Sequence, residues 1–364
     1  VTQSAESEFD FELRVCAWAE RNWPPSGAHD PDTTALVARQ LGTKHRRWDT
    51  VIVEADTGAL AARARFGPKR LDSDLLGVVR NAPAAWTWYR DALPEPDYPW
   101  RYVREAVHRA ADRGIVETRQ RRNRIELRRK WVYPDWVERV IAIENKPDLT
   151  ASAARALAGQ IEHDIALGLA DEVWVATAAT DSPIEPVLLE DFPVEAGVLV
   201  LGGSSTGDDE PSSSDGASVA WHPRTLAVGE RGTRILDRPT GGDHDRSAAR
   251  FEYASPEWKG EKRLAIAERA YERGWRSYVD TMRPDCRHFE LRRDAHERGR
   301  DVLPWCAAKE RRQTAAECAG SCSSFEPEPP NWRSAAWPIE GGPGSAVKRL
   351  LARRRDRRRP DAPE

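Results

Sequence analysis

Lysine is scarce in this chain. Of its 56 basic residues 8 are lysine and 48 arginine, set against 59 acids. That balance suggests an organism with high internal salt, where charges a few ångströms apart are already screened and diffuse electrostatic attraction is excluded as a binding mode. Any polyanion partner must be met by a dense local basic cluster. Long hydrophobic runs are missing as well. No stretch reaches the roughly 18 apolar residues of a membrane-spanning helix, which excludes such a span. The opening "VTQSAESEFDFELRV" lacks the charged start and long apolar centre of a signal peptide, so a soluble, cytoplasmic protein with no membrane partner is expected. Five cysteines in that compartment argue against a disulfide framework.

What is present is a chain of 364 residues, long enough for two or three domains, whose net charge of −3 conceals 32% charged residues. "FDFELRVCAWAERNW" (9–23) reads as an amphipathic helix, with Phe11, Val15 and Trp18 on one stripe and Leu13 and Ala17 widening it. "TTALVARQLG" (33–42) is read as continuing that helical layer. "WDTVIVEAD" (48–56) alternates as a strand and opens with Asp49.

Between 61 and 138 two helices, "DSDLLGVVRNAP" and "PWRYVREAVHRAADRG", precede a basic hairpin, "IVETRQRRNRIELRR". That is the order of a winged helix. A strand at 139–146, the helix "ASAARALAGQIEHDIALGLA" and the strands "EVWVATA" and "GVLVLGG" follow. The polar, acidic, low-complexity 202–218 is expected to be a flexible loop, and "VAWHPRTLAV" a final strand. A separate cysteine-rich region is expected from 241 to 345, and a disordered basic tail from 346 to 364.

The stretch that asks for chemistry is "VIAIENKPD" (140–148). Glu144 and Lys146 stand two apart at the end of a buried strand, where their side chains would project from one face. A chain that otherwise prefers arginine keeps a lysine there. A second E-x-K, "EWK" at 257–259, is read as lying in a loop-like setting and is set aside.

A helix carrying Glu12, a strand opening with Asp49, a strand ending Glu144-x-Lys146, then helix and strand: this order resembles the core of the PD-(D/E)xK nuclease superfamily, closest in plan to archaeal Holliday-junction resolvases and RecB-type nuclease domains. The resemblance implies an α/β restriction-endonuclease-like core, formed by 1–60 and 139–240 around the inserted 61–138. It implies magnesium or manganese held by Asp49, Glu144 and the backbone carbonyl of Asn145, with Glu12 assisting and Glu20 as a substitute. Lys146 would orient or deprotonate the attacking water as a mobile point charge, which arginine's fixed fork does poorly. Gln160 resembles the glutamine of RecB-type motifs, although Asp164 stands where a tyrosine would follow. Asn145 occupies a position that is usually apolar, so its side chain needs a partner.

The hairpin arginines Arg119, Arg121, Arg122 and Arg124 are candidates for DNA phosphates. Cys286, Cys306, Cys318 and Cys322 cluster late in the chain, the last two as C-x3-C, a set of thiols suited to zinc or to a 4Fe-4S cluster, with His288 and His296 as substitute ligands. Cys16, mid-helix, reads as core. The expected function is metal-dependent DNA cleavage in repair, recombination or defence; the alternative is a DNA-binding or regulatory protein on a degenerate nuclease fold. Nothing in the sequence indicates an oligomer.

Overall fold

The computed structural model describes residues 8–28, 30–44, 46–179, 192–202, 216–237, 250–283, 286–293, 302–314, 316–318, 321–327 and 343–356. The chain is mixed α/β, with a mixed central sheet flanked by helices. Helix α1 (Glu8–Asn22) leads into β1 (Thr33–Gly42) and β2 (Arg47–Asp56), and the sheet is completed by β6 (Val137–Asn145), β7 (Glu172–Ala178), β8 (Gly197–Leu201) and β9 (Ala217–Trp221). Its order is β1-β2-β6-β7-β8-β9, with β6, β7 and β8 mutually parallel and the other pairings antiparallel.

One face of the sheet buries Val51, Val53, Val140, Ala142, Val173 and Val175 under α6 (Ala151–Leu167) and α7 (Pro256–Arg273). The opposite face buries Ile52, Ile141, Ile143 and Trp174 under α1. A 3-10 helix (Trp275–Thr281), through Trp275 and Tyr278, joins the same cluster. Burial on both faces explains why β6 reads as a continuous apolar run, Val140–Ile143.

Segment 33–42 is therefore a strand and not a continuation of the helical layer. Its apolar residues are divided between the two faces, Leu36 and Ala38 on one and Val37 on the other, and a short run buried on both sides carries no period that separates strand from helix. "EWK" at 257–259 is likewise helical, since it lies in the first turn of α7. Ser255 accepts from the Trp258 N–H as N-cap and Pro256 sits at the first helical position, a start signal rather than a loop. Helix α7, within the stretch 241–345, packs into the main core through Ile266, Ala267, Ala270 and Tyr271. Residues 343–356 form helix α8 (Pro343–Asp356), with Arg355 reaching the Arg273 carbonyl, so the basic tail is helical as far as 356. Most of the acidic loop, 203–215, and His296 lie outside the described residues.

Between β2 and β6 come α2 (Thr57–Ala64), α3 (Ser73–Asn81), β3 (Thr87–Trp88), α4 (Tyr89–Ala92), α5 (Trp100–Asp112), β4 (Val116–Arg121) and β5 (Arg124–Arg129). Val103, Ala106, Val107 and Ala110 of α5 are buried on the expected stripe and pack with α3 into a core of their own. β3, β5 and β4 form a small sheet, and β4 and β5 are joined by the two-residue turn Arg122–Asn123.

This unit is tied to the main core by a buried ion pair. Arg63 of α2 donates to Glu268 of α7 at 2.6 Å, both side chains being essentially inaccessible to solvent. Glu268 also accepts from the Leu71 N–H and the Tyr133 hydroxyl, each at 2.7 Å. Glu268→Gln leaves the Arg63 guanidinium buried without its counter-charge. It should cost about 3–5 kcal/mol, seen as a lower urea midpoint. An unchanged midpoint would mean that the pair does not hold the two parts together. No helix among the described residues is long and apolar enough to cross a membrane.

Candidate active site

Five elements bring polar side chains to one end of the sheet. α1 supplies Glu12, β1 Gln40, β2 Asp49, β6 Glu144, and α6 both Gln160 and Asp164. Helix α6 is firmly placed: Thr150 caps its start by accepting from the Ala153 N–H, and Gly168, in the left-handed region, ends it. Gln160 and Asp164, one turn apart, therefore share a face directed at Glu144 and the loop between β1 and β2.

Gln40 is the pivot. Its φ of +53° is a left-handed conformation rare for a side chain of this kind, and it sits within a strand. Leu36, Ala38 and Leu41 all face the α6 side, so the two-residue alternation slips by one at Gln40; on β2, Trp48 and Val51 do the same across from it. The slip turns the Gln40 amide to the end of the sheet, where Nε2 donates to Glu12 Oε1 at 2.9 Å and to Asp49 Oδ1 at 3.2 Å.

Asp49 also accepts at Oδ2 from the Asn145 backbone N–H at 3.0 Å. The neighbouring residue, Glu144, is buried. Its carboxyl accepts from Arg46 at 2.6 Å and from Gln160 at 3.1 Å. Burial, and after it the Asp49 carboxylate, push the Glu144 pKa up to about 8, with Arg46 opposing. Burial raises Glu12 too, opposed by its two-point contact with Arg39 at 3.0 and 2.7 Å, and raises Asp164 against Arg46. Arg46 spans Glu144 and Asp164, its Nε lying 2.9 Å from Asp164 Oδ1. Four carboxylates thus face two guanidiniums, Arg39 and Arg46.

Gln40 links Glu12 to Asp49, and on the adjoining strand Arg46 and Gln160 hold Glu144. Lys146 stands apart. The strand ends at Asn145, and the Lys146 ammonium pairs with Glu8 at the start of α1, 2.8 Å away. The Asn145 side chain finds half of the partner it needs, since Nδ2 donates to Thr50 Oγ1 at 3.0 Å while Oδ1 is buried without a partner. Glu20 is no substitute ligand, because both its oxygens are taken by Arg276 at 2.8 and 2.7 Å. Cys16 is core, as expected, its thiol pushed up to about 12 by burial.

Gln40, Arg46 and Asp164 are not singled out by the sequence pattern. Asp164 has a signal, its one-turn spacing from Gln160. Arg46 is one arginine among many, and no periodicity marks a left-handed glutamine inside a strand.

The sequence pattern of a family of unknown function, DUF5787, matches residues 36–327. The chain belongs to that family. The DUF5787 match takes in Gln40, Asp49, Glu144, Gln160, Asp164 and the four late cysteines, and leaves α1 with Glu12 outside. Comparison with curated proteins and with solved structures returns no match.

Proposed function

We propose that the protein is a magnesium-dependent nuclease of PD-(D/E)xK type that hydrolyses phosphodiester bonds in DNA. The observation that carries the reading is the pair of half-buried Asp49 and buried Glu144 on adjacent strands, close enough for one charge to oppose the ionisation of the other. A donor set of this kind suits a hard dication. Magnesium takes one or two protein carboxylates and keeps several waters, so two acids suffice even though, among the described residues, no group of three or more His, Cys, Asp or Glu is set to hold a metal. Asp49 and Glu144 would hold the ion, with the Asn145 carbonyl and Glu12 as further oxygens. When bound, the ion supplies Lewis acidity toward phosphate and an activated water. The element order α1-β1-β2-β6-α6-β7, with β6 and β7 parallel, supports the same reading.

The chain's own residues would divide the remaining work. Gln40 fixes Asp49 against Glu12, and Gln160 orients Glu144. Arg46 offsets charge on Glu144 and Asp164 until substrate enters. Lys146 is held by Glu8 only in a partly exposed pair, a type worth about 0–1 kcal/mol, and can exchange it for a phosphate or the attacking water. The runner-up, a DNA-binding protein without catalysis, is favoured by Arg46, whose guanidinium already gives Glu144 the positive partner a metal would be. Calorimetric titration with manganese at pH 8 separates the two. Binding that Asp49→Asn removes supports the nuclease; no binding at millimolar metal supports the runner-up.

DNA contact is assigned to 61–138, read as winged-helix-like, with β4 and β5 as the wing. Its arginines are partly spoken for: Arg119 and Arg121 flank Glu126, Arg119 lies over Trp86 and Arg124 over Trp88. Arg121 and Arg122 at the tip remain exposed to solvent. Replacing Arg119, Arg121 and Arg122 by alanine should weaken DNA binding and lower the slope of log affinity against log salt by about two to three, since each neutralised phosphate adds about 0.9 to that slope. An unchanged slope would reduce the hairpin to padding.

A further inference from the structure

Cys286, Cys306, Cys318 and Cys322 come from separate short segments and line one cavity, closed by Met282, Phe289 and Phe325 among others. None of the four is in a disulfide. Three of them open the same kind of backbone turn. The N–H of Phe289, Lys309 and Phe325 donates to the carbonyl of Cys286, Cys306 and Cys322 three residues earlier, at 3.0, 3.3 and 3.1 Å. The fourth, Cys318, has its sulfur hydrogen-bonded by the backbone of Arg283. His288, the remaining candidate ligand, lies 3.4 Å from Glu326 and is directed there.

We propose that Cys286, Cys306, Cys318 and Cys322 form a structural site for one zinc ion. Four thiolates repel one another in an apolar cavity, and a dication with no geometric preference of its own removes that repulsion while accepting four sulfurs tetrahedrally. The thiols are not yet at coordination geometry, since among the described residues no group of three is set to hold a metal, so loading draws the turns inward. The surrounding chain has reason to need the staple. The two-stranded sheet of β10 (Phe289–Arg293) and β11 (Val302–Cys306) gives only Leu303 and Phe289 to the neighbouring core, and metal binding at such a site is folding energy. The proposal is independent of the nuclease reading, because these residues form no part of the acid cluster.

The test is zinc content and thiol protection in the full chain. Elemental analysis should find about one zinc per chain, and cobalt(II) added after chelation should give the intense colour of tetrahedral thiolate coordination. Alkylation counted by mass should find all five cysteines protected in the zinc-loaded protein. After chelation four should react, with buried Cys16 still protected, and added zinc should restore protection. Cys318→Ser should lose at least about 100-fold in zinc affinity. The alkylation count keeps the proposal open to refutation if that variant fails to fold. Metal-free protein with the same four reactive thiols before and after zinc would overturn it. So would disulfides among the four, or iron with a brown absorption.

Discussion

Asp49→Asn is expected to cut magnesium-dependent DNA cleavage by about 10³-fold or more, the equivalent of about 4 kcal/mol of lost transition-state stabilisation. The substitution keeps the shape of the side chain, and the one amide oxygen can still accept from the Asn145 N–H; the Gln40 contact, made to the other carboxylate oxygen, is given up, a loss of one hydrogen bond that the fold should withstand. What is lost is a charged oxygen for the metal. DNA affinity should change little, and raised magnesium should recover part of the rate. Glu144→Gln should fail as severely without recovery, because Gln160 and Arg46 then orient a neutral amide.

Glu144 also sets the pH response. Metal binding must displace its proton, so below a pKa of about 8 affinity for magnesium should rise about tenfold per pH unit and level off above it. The stability effect runs with it. The folded pKa is raised above the ordinary 4.5, so the unfolded chain loses this proton first and metal-free stability falls as pH climbs from about 4.5 to about 8. Glu144→Gln should remove that decline. A wild-type metal affinity flat between pH 6 and 8 would contradict the assignment.

Lys146→Ala is expected to lower the cleavage rate by about 10²–10⁴-fold while DNA affinity stays nearly intact, because the proposed role is on water and charge in the transition state. Lys146→Arg should fail as well. It preserves the charge and the reach to Glu8, but its planar fork does not take the place of a point charge and does not yield a proton near neutral pH. Glu8→Gln is the control, since freeing Lys146 from a weak partner should leave the rate unchanged or raise it. Wild-type cleavage by Lys146→Arg would show that charge alone suffices at this position.

Asp49, Glu144 and Glu12 are legible in the sequence because each sits on an element with a clear pattern: an alternating strand, an apolar run ending in charge, an amphipathic helix. α5 and its buried stripe are legible for the same reason. β1 is not, because burial on both faces erases the period that distinguishes strand from helix. Gln40 is hidden within it, its role created by a left-handed backbone and a slip in alternation that no spacing encodes. Arg46 and Asp164 meet across 118 residues of sequence, a pairing that only the folded sheet and the α6 crossover bring about. The start of α7 is marked by Ser255-Pro256, a capping pair whose composition is equally that of a turn.

The most direct measurement is cleavage of end-labelled duplex, branched and single-stranded DNA by the wild-type protein and by Asp49→Asn prepared in parallel, each with magnesium and with a chelator. The account predicts products from at least one substrate with wild type and magnesium, none with chelator, and a loss of about 10³-fold with Asp49→Asn. Equal cleavage by the two proteins, or none by wild type with magnesium or manganese on any of the substrates, would contradict it.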